Sequence, residues 1–239
     1  MVFDVSFMLY ALGQLVKKLP LTLEITALAL IVGFALGLAV ALIRMYRVRV
    51  LCRVADAYVS DVRGTPMLLQ FYVIYYGLPM LFDLLAERMN WGVRANIIPS
   101  FAFIIIAISF NSGAYMSEVI RSGILAVNAG EIEAGYSIGM STSQVLKRII
   151  LPQSLVVSLP NFCNSIIGLL HGTSIASFFS IAEVTCMARV LAGDNWKYFE
   201  AYVAAGIIYW GVAVAIEQGM LLLERTVRAR QEKSVLKTS

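Results

Sequence analysis

Five long apolar segments, separated by shorter polar stretches, make up most of this 239-residue chain. An α-helix needs about 20 apolar residues in a row to cross the hydrocarbon core of a bilayer. The pattern therefore predicts an all-α fold, a polytopic helical membrane protein with five transmembrane helices. The predicted spans are residues 19–43, 66–85, 97–120, 148–172 and 198–222.

The segments before and between the spans have a different pattern. Residues 1–18 interleave apolar with charged positions, which is typical of an amphipathic helix lying in the membrane interface. Residues 50–62 alternate in a similar way and predict a short surface helix. Thr65 and Pro66 predict the start of the second span, with Thr65 as its N-cap, because threonine caps helices well and proline suits the first helical position. Residues 173–197 are mixed and predict a partly re-entrant or surface segment followed by a loop.

Small residues in the first span predict a close helix contact. Gly33, Gly37 and Ala41 recur at intervals of four residues. This spacing places them on one face of a helix, where the absence of large side chains lets a second helix approach. We therefore expect another span to pack tightly against this face.

Composition agrees with a membrane domain and excludes several classes of function. Hydrophobic residues make up 59% of the chain and charged residues 14%, with a mean hydropathy of +0.79, whereas a soluble domain carries about 25% charged residues. The three cysteines are scattered and there is one histidine, so we expect no metal site, no disulfide framework and no hydrolytic triad. The sequence has no Gly-rich phosphate loop with its lysine, so the energy for any active process must come from a partner. It shows no nucleophile–base constellation either, so we expect neither an enzyme nor a cofactor.

The distribution of basic residues predicts the orientation in the membrane. With five spans, 13 of the 19 lysines and arginines, Arg44 and Arg63 among them, lie on the side of the C-terminus and six on the side of the N-terminus. The more basic side of a membrane protein faces the cytoplasm. We therefore expect the N-terminus outside and the C-terminus in the cytoplasm, with residues 226–239 as a cytoplasmic tail. The net charge is +4, but the basic residues lie at the ends of the spans, where membrane topology explains them. We therefore expect no nucleic-acid partner.

An unusual polar stretch from Glu131 to Pro152 separates the third and fourth spans. Its pattern is Glu133-Ala134-Gly135, three residues, Gly139, nine residues, Ile149, one residue and Leu151-Pro152. A glycine six residues after the glutamate allows a tight turn out of a short helix, and the helix dipole favours a glutamate in the first turn. The stretch suits a cytoplasmic loop on which another protein docks, or an amphipathic loop helix with no partner.

This spacing resembles the EAA loop of ABC importer permeases, in which the pattern is Glu-Ala-Ala, three residues, Gly, nine residues, Ile, one residue and Leu-Pro. We call residues 131–152 the EAA loop. Gly135 replaces the second alanine, and glycine weakens a helix by up to about 1 kcal/mol relative to alanine. Further matches occur in order along residues 15–225 and resemble the polar amino-acid branch of the family. They are Arg63-Gly64-Thr65-Pro66, Gln70, Tyr75-Tyr76-Gly77-Leu78-Pro79, Ala114-Tyr115, Glu118, Arg121-Ser122-Gly123-Ile124, Pro152-Gln153 and Thr173-Ser174.

The resemblance implies a fold and a set of partners. Residues 19–225 would form the transmembrane domain of a type I ABC importer in a bacterial plasma (inner) membrane. The EAA loop would dock on a cytoplasmic ABC ATPase dimer, with Glu133, Ala134, Gly135 and Gly139 at the contact. A second permease chain, identical or related, and an extracellular or periplasmic solute-binding protein that delivers an amino-acid substrate would complete the transporter.

The alternative function is a self-contained secondary carrier or channel for small polar solutes. Such a protein is expected to carry inverted repeats or coupled intramembrane acids. Neither is evident in the five predicted spans. Copurification of an ATPase with the chain would distinguish the two functions.

Polar side chains on two spans are candidates for a substrate path. They share one face of the third span and one face of the fourth: Asn111, Tyr115 and Glu118, and Asn161, Asn164, Gly168 and His171. Polar groups inside a membrane are costly and often functional, and asparagine can contact both the ammonium and the carboxylate of an amino acid. The alternative is that the asparagines join helices by hydrogen bonds, and that Glu118 forms a structural ion pair with Arg121 near the cytoplasmic end.

The end of the fourth span departs from the family. His171-Gly172-Thr173-Ser174 stands where much of the amino-acid branch has Lys-Asp-Thr-Ser. His171, Thr173 and Ser174 therefore belong to the candidate path. Histidine at this place resembles the cystine-type permeases, which makes cystine a candidate substrate. The alternative is that these residues only shape the end of the helix and say nothing about the substrate.

Overall fold

The computed structural model describes residues 3–236, and most of that range is helical. Its α-helices are α1 (Val5–Val16), α2 (Leu19–Met45), α3 (Arg49–Gly64), α4 (Met67–Arg88), α5 (Ser100–Leu125), α6 (Ala129–Ser137), α7 (Thr142–Val145), α8 (Leu151–Gly172), α9 (Val184–Asn195) and α10 (Tyr198–Leu236). A π-helical turn, Leu146–Ile150, joins α7 to α8. Short 3-10 helices occupy Ala95–Ile97 and Thr173–Phe179.

The five predicted spans are confirmed as helices. Within residues 3–236, five helical segments are long and apolar enough to cross a membrane. They are Leu19–Met45, Met67–Arg88, Ser100–Leu125, Thr142–Phe179 and Tyr198–Val227. Most extend beyond the predicted bounds, because a helix continues through polar residues that lower the local hydropathy. The third is displaced instead: it begins after the 3-10 turn Ala95–Ile97, with Pro99 as its N-cap, and it runs on to Leu125.

Helices α2 and α5 run parallel and form the centre of the protein. Gly33 lies against Ser112. Gly37, four residues further along α2, lies against Met116. A Cβ atom added to Gly37 would be 2.9 Å from the Gly113 carbonyl oxygen and 2.7 Å from the Met116 Cβ. Atoms in ordinary van der Waals contact are about 3.5–4.0 Å apart, so these glycines are required for the contact. The predicted tight packing of this face is confirmed.

Helix α3 returns from the end of α2 along α5. Its buried residues Ala55, Val59 and Val62 pack with Val40 and Ala114. The prediction of a surface helix here is confirmed: most of residues 50–62 are exposed, and the apolar positions form the one face that packs inside the protein.

The break between α3 and α4 lies within the bundle. Thr65 follows the last residue of α3 and Pro66 occupies the N-cap position of α4, with no side-chain cap. The prediction of Thr65 as N-cap is therefore wrong: its hydroxyl donates to the Asp61 carbonyl oxygen of the preceding helix, at 2.8 Å. Proline at N-cap still ends α3, because it excludes the helical conformation at Thr65.

A second packing group joins the N-terminal helix to the end of the chain. Helices α1, α9 and α10 share a buried cluster that includes Phe7, Ala11, Val184 and Ala204. The prediction of a loop after the re-entrant segment is wrong, since most of that part of residues 173–197 is the packed helix α9. Helix α1 does bury one face, as its amphipathic pattern indicates.

Asp4 fixes the start of α1 against α10. Its carboxylate accepts from the Phe7 N–H at 2.9 Å and from the Lys197 ammonium. These two hydrogen bonds, Lys197 first, hold the pKa of the Asp4 carboxyl below its ordinary value. The Asp4 N–H donates to Glu200 at 3.1 Å, so charge and backbone both join the two ends.

We predict that Gly37→Ala destabilises the protein by about 1–3 kcal/mol, as overpacking of a tight core does. The added methyl group would meet the α5 backbone, which cannot rotate away as a flexible side chain can. Unfolding of the purified chain in detergent measures the change. Gly13→Ala is the matched control, because nothing lies within 4 Å of the atom that it adds. Equal stability of the two variants would contradict the prediction.

Candidate functional site

A cavity of about 570 Å³ opens between α5, α8 and the break that separates α3 from α4. Its wall combines amide and hydroxyl groups with apolar side chains and two charges. The lining residues are Arg63, Thr65, Met67, Ile108, Asn111, Ser112, Tyr115, Glu118, Val119, Ser122, Asn161, Asn164, Ser165, Gly168 and Leu169. This volume lies within the range of about 300–1,000 Å³ that is usual for small-molecule sites.

Four of the predicted path residues meet in this cavity. Asn111 and Tyr115 of α5 face Asn161 and Asn164 of α8 across it. The two polar faces of the sequence are thus brought together, because α8 packs against α5 and presents the same stripe along its length. The cavity can offer a ligand several hydrogen-bond donors and acceptors with little net charge.

The other three predicted path residues lie elsewhere. His171 is exposed at the end of α8, and its ring is 6.4 Å from that of Tyr209 on α10. Thr173 is buried and donates to the Leu170 carbonyl oxygen, and Ser174 donates to that of His171, each at 2.7 Å. None of the three lines the cavity. Their hydroxyl groups satisfy carbonyl groups at the last turn of α8.

Gln70 holds the broken ends of α3 and α4 together beside the cavity. Its amide nitrogen donates to the Val62 carbonyl oxygen at 2.8 Å and to that of Thr65 at 3.0 Å. Its amide oxygen accepts from the Asn111 side chain at 2.8 Å. Carbonyl groups at a buried helix end need such partners. The break is therefore anchored to the cavity wall through one side chain.

Sequence reasoning missed the cavity residues on the broken segment. Arg63 was counted with the basic residues that set the topology, yet it lines the cavity with Thr65 and Met67. The missed signal is Gly64-Thr65-Pro66, which interrupts a helix at the depth of Asn111. Ser112 was missed too: its hydroxyl is buried without a hydrogen-bond partner among residues 3–236.

An ion cluster closes one end of the cavity. One Glu118 oxygen accepts from Arg121 at 2.9 Å and the other from Arg44. Arg44 also pairs with Asp56 at 2.7 Å, which ties α2, α3 and α5 together. The predicted pairing of Glu118 with Arg121 is confirmed, whereas Arg44 was assigned to topology alone. Both Glu118 oxygens are thus occupied by guanidinium groups.

A buried carboxylate supports the far end of α8. Glu183 caps α9 by accepting from the N–H groups of Thr185 and Cys186, both at 2.8 Å. It also accepts from the Tyr209 hydroxyl at 2.8 Å. Burial raises the pKa of the Glu183 carboxyl, and these hydrogen bonds act in the opposite direction by favouring its charged form. These hydrogen bonds join α9 to α10 near the end of α8 that carries His171.

The EAA loop contains a short, exposed helix. Asn128 caps α6 by accepting from the Gly130 N–H at 2.9 Å. Glu133 and Ala134 are exposed, as are the large side chains of Tyr136 and Ile138, the latter to 80%. The isoleucine and the tyrosine give this end of the loop an exposed apolar surface.

The two glycines of the EAA loop have different roles. Gly139 has a φ of +83°, which favours glycine because other residues rarely adopt it. Gly135 is buried in α6, and a Cβ atom there would be 2.7 Å from the Ile149 Cδ1. The departure of Gly135 from alanine is therefore explained by packing: Ile149 occupies the space of the missing methyl group.

Helix α6 is attached to the start of α8 by two contacts. Gly135 packs under Val145 and Ile149, and the Gln153 amide donates to Glu131. Ile149 lies in the π-helical turn that leads into α8. A force on α6 consequently reaches the helix that carries Asn161 and Asn164.

Comparisons with known proteins all indicate the same family. Residues 33–229 match the model of the binding-protein-dependent transport system inner membrane component. The chain is 34% identical over 222 residues to "Probable amino-acid ABC transporter permease protein PatM" of Vibrio harveyi, covering 93% of this chain and 95% of the relative. It is 34% identical over 233 residues to "L-cystine transport system permease protein TcyL" of Bacillus subtilis (strain 168), covering 98% and 95%.

A solved structure has the same fold. It is described as the crystal structure of an amino acid ABC transporter with histidines. The TM-score is 0.80 at 32% sequence identity, and the match covers 95% of this chain and all of the other.

We predict that Gly135→Ala and Ile149→Val are energetically coupled. Alone, Gly135→Ala gains up to about 1 kcal/mol of helix propensity but forces the new methyl group against Ile149. Ile149→Val removes the atom in the way, so adding Gly135→Ala to that variant should stabilise it by about 1 kcal/mol. A double-mutant cycle of unfolding free energies in detergent measures the coupling. Gly13→Ala with Ile149→Val is the control and should be additive. Additivity of the Gly135 pair would contradict the packing explanation.

Proposed function

Because this chain belongs to the family of binding-protein-dependent transport system inner membrane components, we propose that it moves polar amino acids through the cavity between α5 and α8. It is the permease subunit of an amino-acid ABC importer, a transport component and not an enzyme. The family works with an ATPase and with a second permease chain. We further propose that a solute-binding protein outside a bacterial plasma membrane delivers the amino acid, and that the N-terminus faces that side.

The single observation that carries this proposal is the amide-lined cavity. An amino acid presents a carboxylate and an ammonium group, and each asparagine offers both a donor and an acceptor. Arg63 at the cavity wall can attract the carboxylate. Glu118 already binds Arg44 and Arg121, so amide and hydroxyl oxygens are left to accept from the ammonium. Such a surface suits a zwitterion better than an ion of one sign.

ATP binding by the partner would act on the cavity through the EAA loop. Glu133, Ala134, Gly135 and Gly139 form the proposed ATPase contact. The exposed side chains around Glu133 supply the surface, and the contacts of α6 with α8 supply the mechanical link. Displacement of α6 would move α8 against α5 and so change access to the cavity.

Cystine is the first substrate to test. The L-cystine relative supports it, as does the histidine at the end of α8. His171, Thr173 and Ser174 would influence the substrate by setting the position of α8 against α10, since they lie outside the cavity.

We predict that Asn164→Leu lowers the kcat/KM of amino-acid uptake about 10- to 100-fold, because a hydrogen bond to a charged group contributes about 1.5–3 kcal/mol. Uptake of radiolabelled cystine and other amino acids into proteoliposomes containing the full transporter measures the effect. Asn195→Leu at the exposed C-terminal end of α9 is the control and should leave uptake unchanged. Normal uptake by Asn164→Leu would remove Asn164 from the path.

We predict that Glu133→Lys reduces the ATPase that copurifies with the chain about tenfold or more, since breaking a docked charge pair costs about 2–5 kcal/mol. Glu87→Lys is the matched control, because Glu87 is exposed near the end of α4, at the opposite end of the bundle. Uptake driven by an ion gradient without any ATPase would instead support the secondary carrier.

A further inference from the structure

The turn between α2 and α3 encloses a hollow lined mainly by arginine. Its volume is about 420 Å³. The lining residues are Arg44, Arg47, Arg49, Cys52, Arg53, Asp56 and Arg121. We call it the arginine hollow. It lies on the opposite side of the Glu118 ion cluster from the transport cavity, at the end of the bundle from which α5 leads into α6.

The charges of the arginine hollow are only partly compensated. Five guanidinium groups line it, and two carboxylates, Asp56 and Glu118, pair with Arg44 and Arg121. In the described part of the chain, Arg47, Arg49 and Arg53 have no carboxylate within ion-pair distance. Three positive charges therefore remain in excess. These three arginines are exposed, and an anion bound among them would relieve their mutual repulsion.

The backbone adds to this positive potential. Helix α3 begins at Arg49 with no side-chain cap and no acidic residue in its first turn. The first N–H groups of a helix lack partners, and the dipole favours an anion there. Arg47 adopts a φ of +50°, an uncommon conformation for a side chain of this size. The turn that assembles the hollow is thus built at some conformational cost.

Exposed apolar side chains are neighbours in sequence of the arginines that line the hollow. Tyr46 and Val50 are each 74% exposed and Val54 is 61% exposed. Helix α2 has 27 residues, about 40 Å at the usual rise, which exceeds the hydrocarbon thickness of about 30 Å. Its C-terminal end and the start of α3 consequently lie near the depth of the lipid headgroups. Basic residues at that depth attract anionic lipid.

We propose that the arginine hollow binds the phosphate of an anionic phospholipid, whose acyl chains lie against Val50 and Val54. A soluble anion would match the guanidinium groups but would leave these valines exposed. An acidic surface of a protein partner would have to displace lipid from them. Arginine is suited to the role because its planar group binds phosphate with two hydrogen bonds. This site is independent of the substrate and of the ATPase contact.

Cys52 reports on the hollow directly. It lines the hollow and is partly exposed, whereas Cys163 and Cys186 are buried. The full transporter is placed in nanodiscs of phosphatidylcholine alone or with phosphatidylglycerol, and labelling by an uncharged maleimide is followed. If phosphatidylglycerol fills the site about nine-tenths of the time, labelling slows about tenfold. The ratio of the two rates is compared within each variant.

Triple replacements of the unpaired arginines, with a control triple replacement elsewhere, test the proposal. Replacement of Arg47, Arg49 and Arg53 by glutamine should abolish the slowing, and replacement by lysine should retain part of it. The control replaces three basic residues at the opposite end of the bundle and should keep the full slowing: Lys17→Gln, Arg88→Gln and Arg94→Gln.

Several results would overturn the proposal. They are equal labelling of the unmodified protein in the two membranes, slowing that survives the glutamine replacements, and equal slowing by millimolar inorganic phosphate without anionic lipid. Loss of the copurifying ATPase in the glutamine variant, with lipid-dependent slowing intact, would assign the hollow to the protein partner instead. If the glutamine variant does not assemble, the comparison of the two membranes with unmodified protein and the lysine variant still decides.

Discussion

The close parallel contact of α2 with α5 is the constraint on which the other helices depend. Gly33 and Gly37 bring the two backbones together without intervening side chains. Because the helices are then in fixed register, Arg44 reaches Glu118 at one end. Helix α3 packs into the angle between them, and α8 covers the other face of α5. A membrane offers little hydrophobic drive for helix association, so such packing must come from small residues.

The broken segment shows how polar backbone is tolerated inside this bundle. Gly64-Thr65-Pro66 interrupts hydrogen bonding between α3 and α4 at a depth where unsatisfied carbonyl groups cost several kcal/mol each. Gln70 and Thr65 meet that demand from within the chain. The same solution connects the break to Asn111, so that the wall of the cavity and the support of the break are one network.

The sequence was most informative where local rules decide the structure. Apolar length predicted five spans, and the spacing of Glu133 and Gly139 predicted a short helix with a tight turn, because each depends only on neighbouring residues. The stripes of Asn111 and Asn164 were visible as helix faces. That they would meet could only be guessed, since it depends on how α8 packs on α5.

The errors arose where tertiary contacts override local pattern. Helix α3 is mostly exposed, as its composition predicts, but the sequence does not show that its apolar face packs against α2 and α5. Arg63 and Arg44 were interpreted as basic residues that set the orientation in the membrane. The sequence does not reveal which carboxylate or cavity such a residue reaches. Gly135 looked like a weakness in the helix until Ile149 was seen to fill the space beside it.

The ion cluster beside the cavity has a consequence for how the protein responds to the membrane potential. Arg44 and Arg121 carry two positive charges, and Asp56 and Glu118 carry two negative ones. A potential acts on net charge, at about 2.3 kcal/mol per elementary charge for each 100 mV crossed. Since the four groups sum to zero, a shift of this cluster as a unit through the field does no electrical work on these groups, whichever way the voltage points.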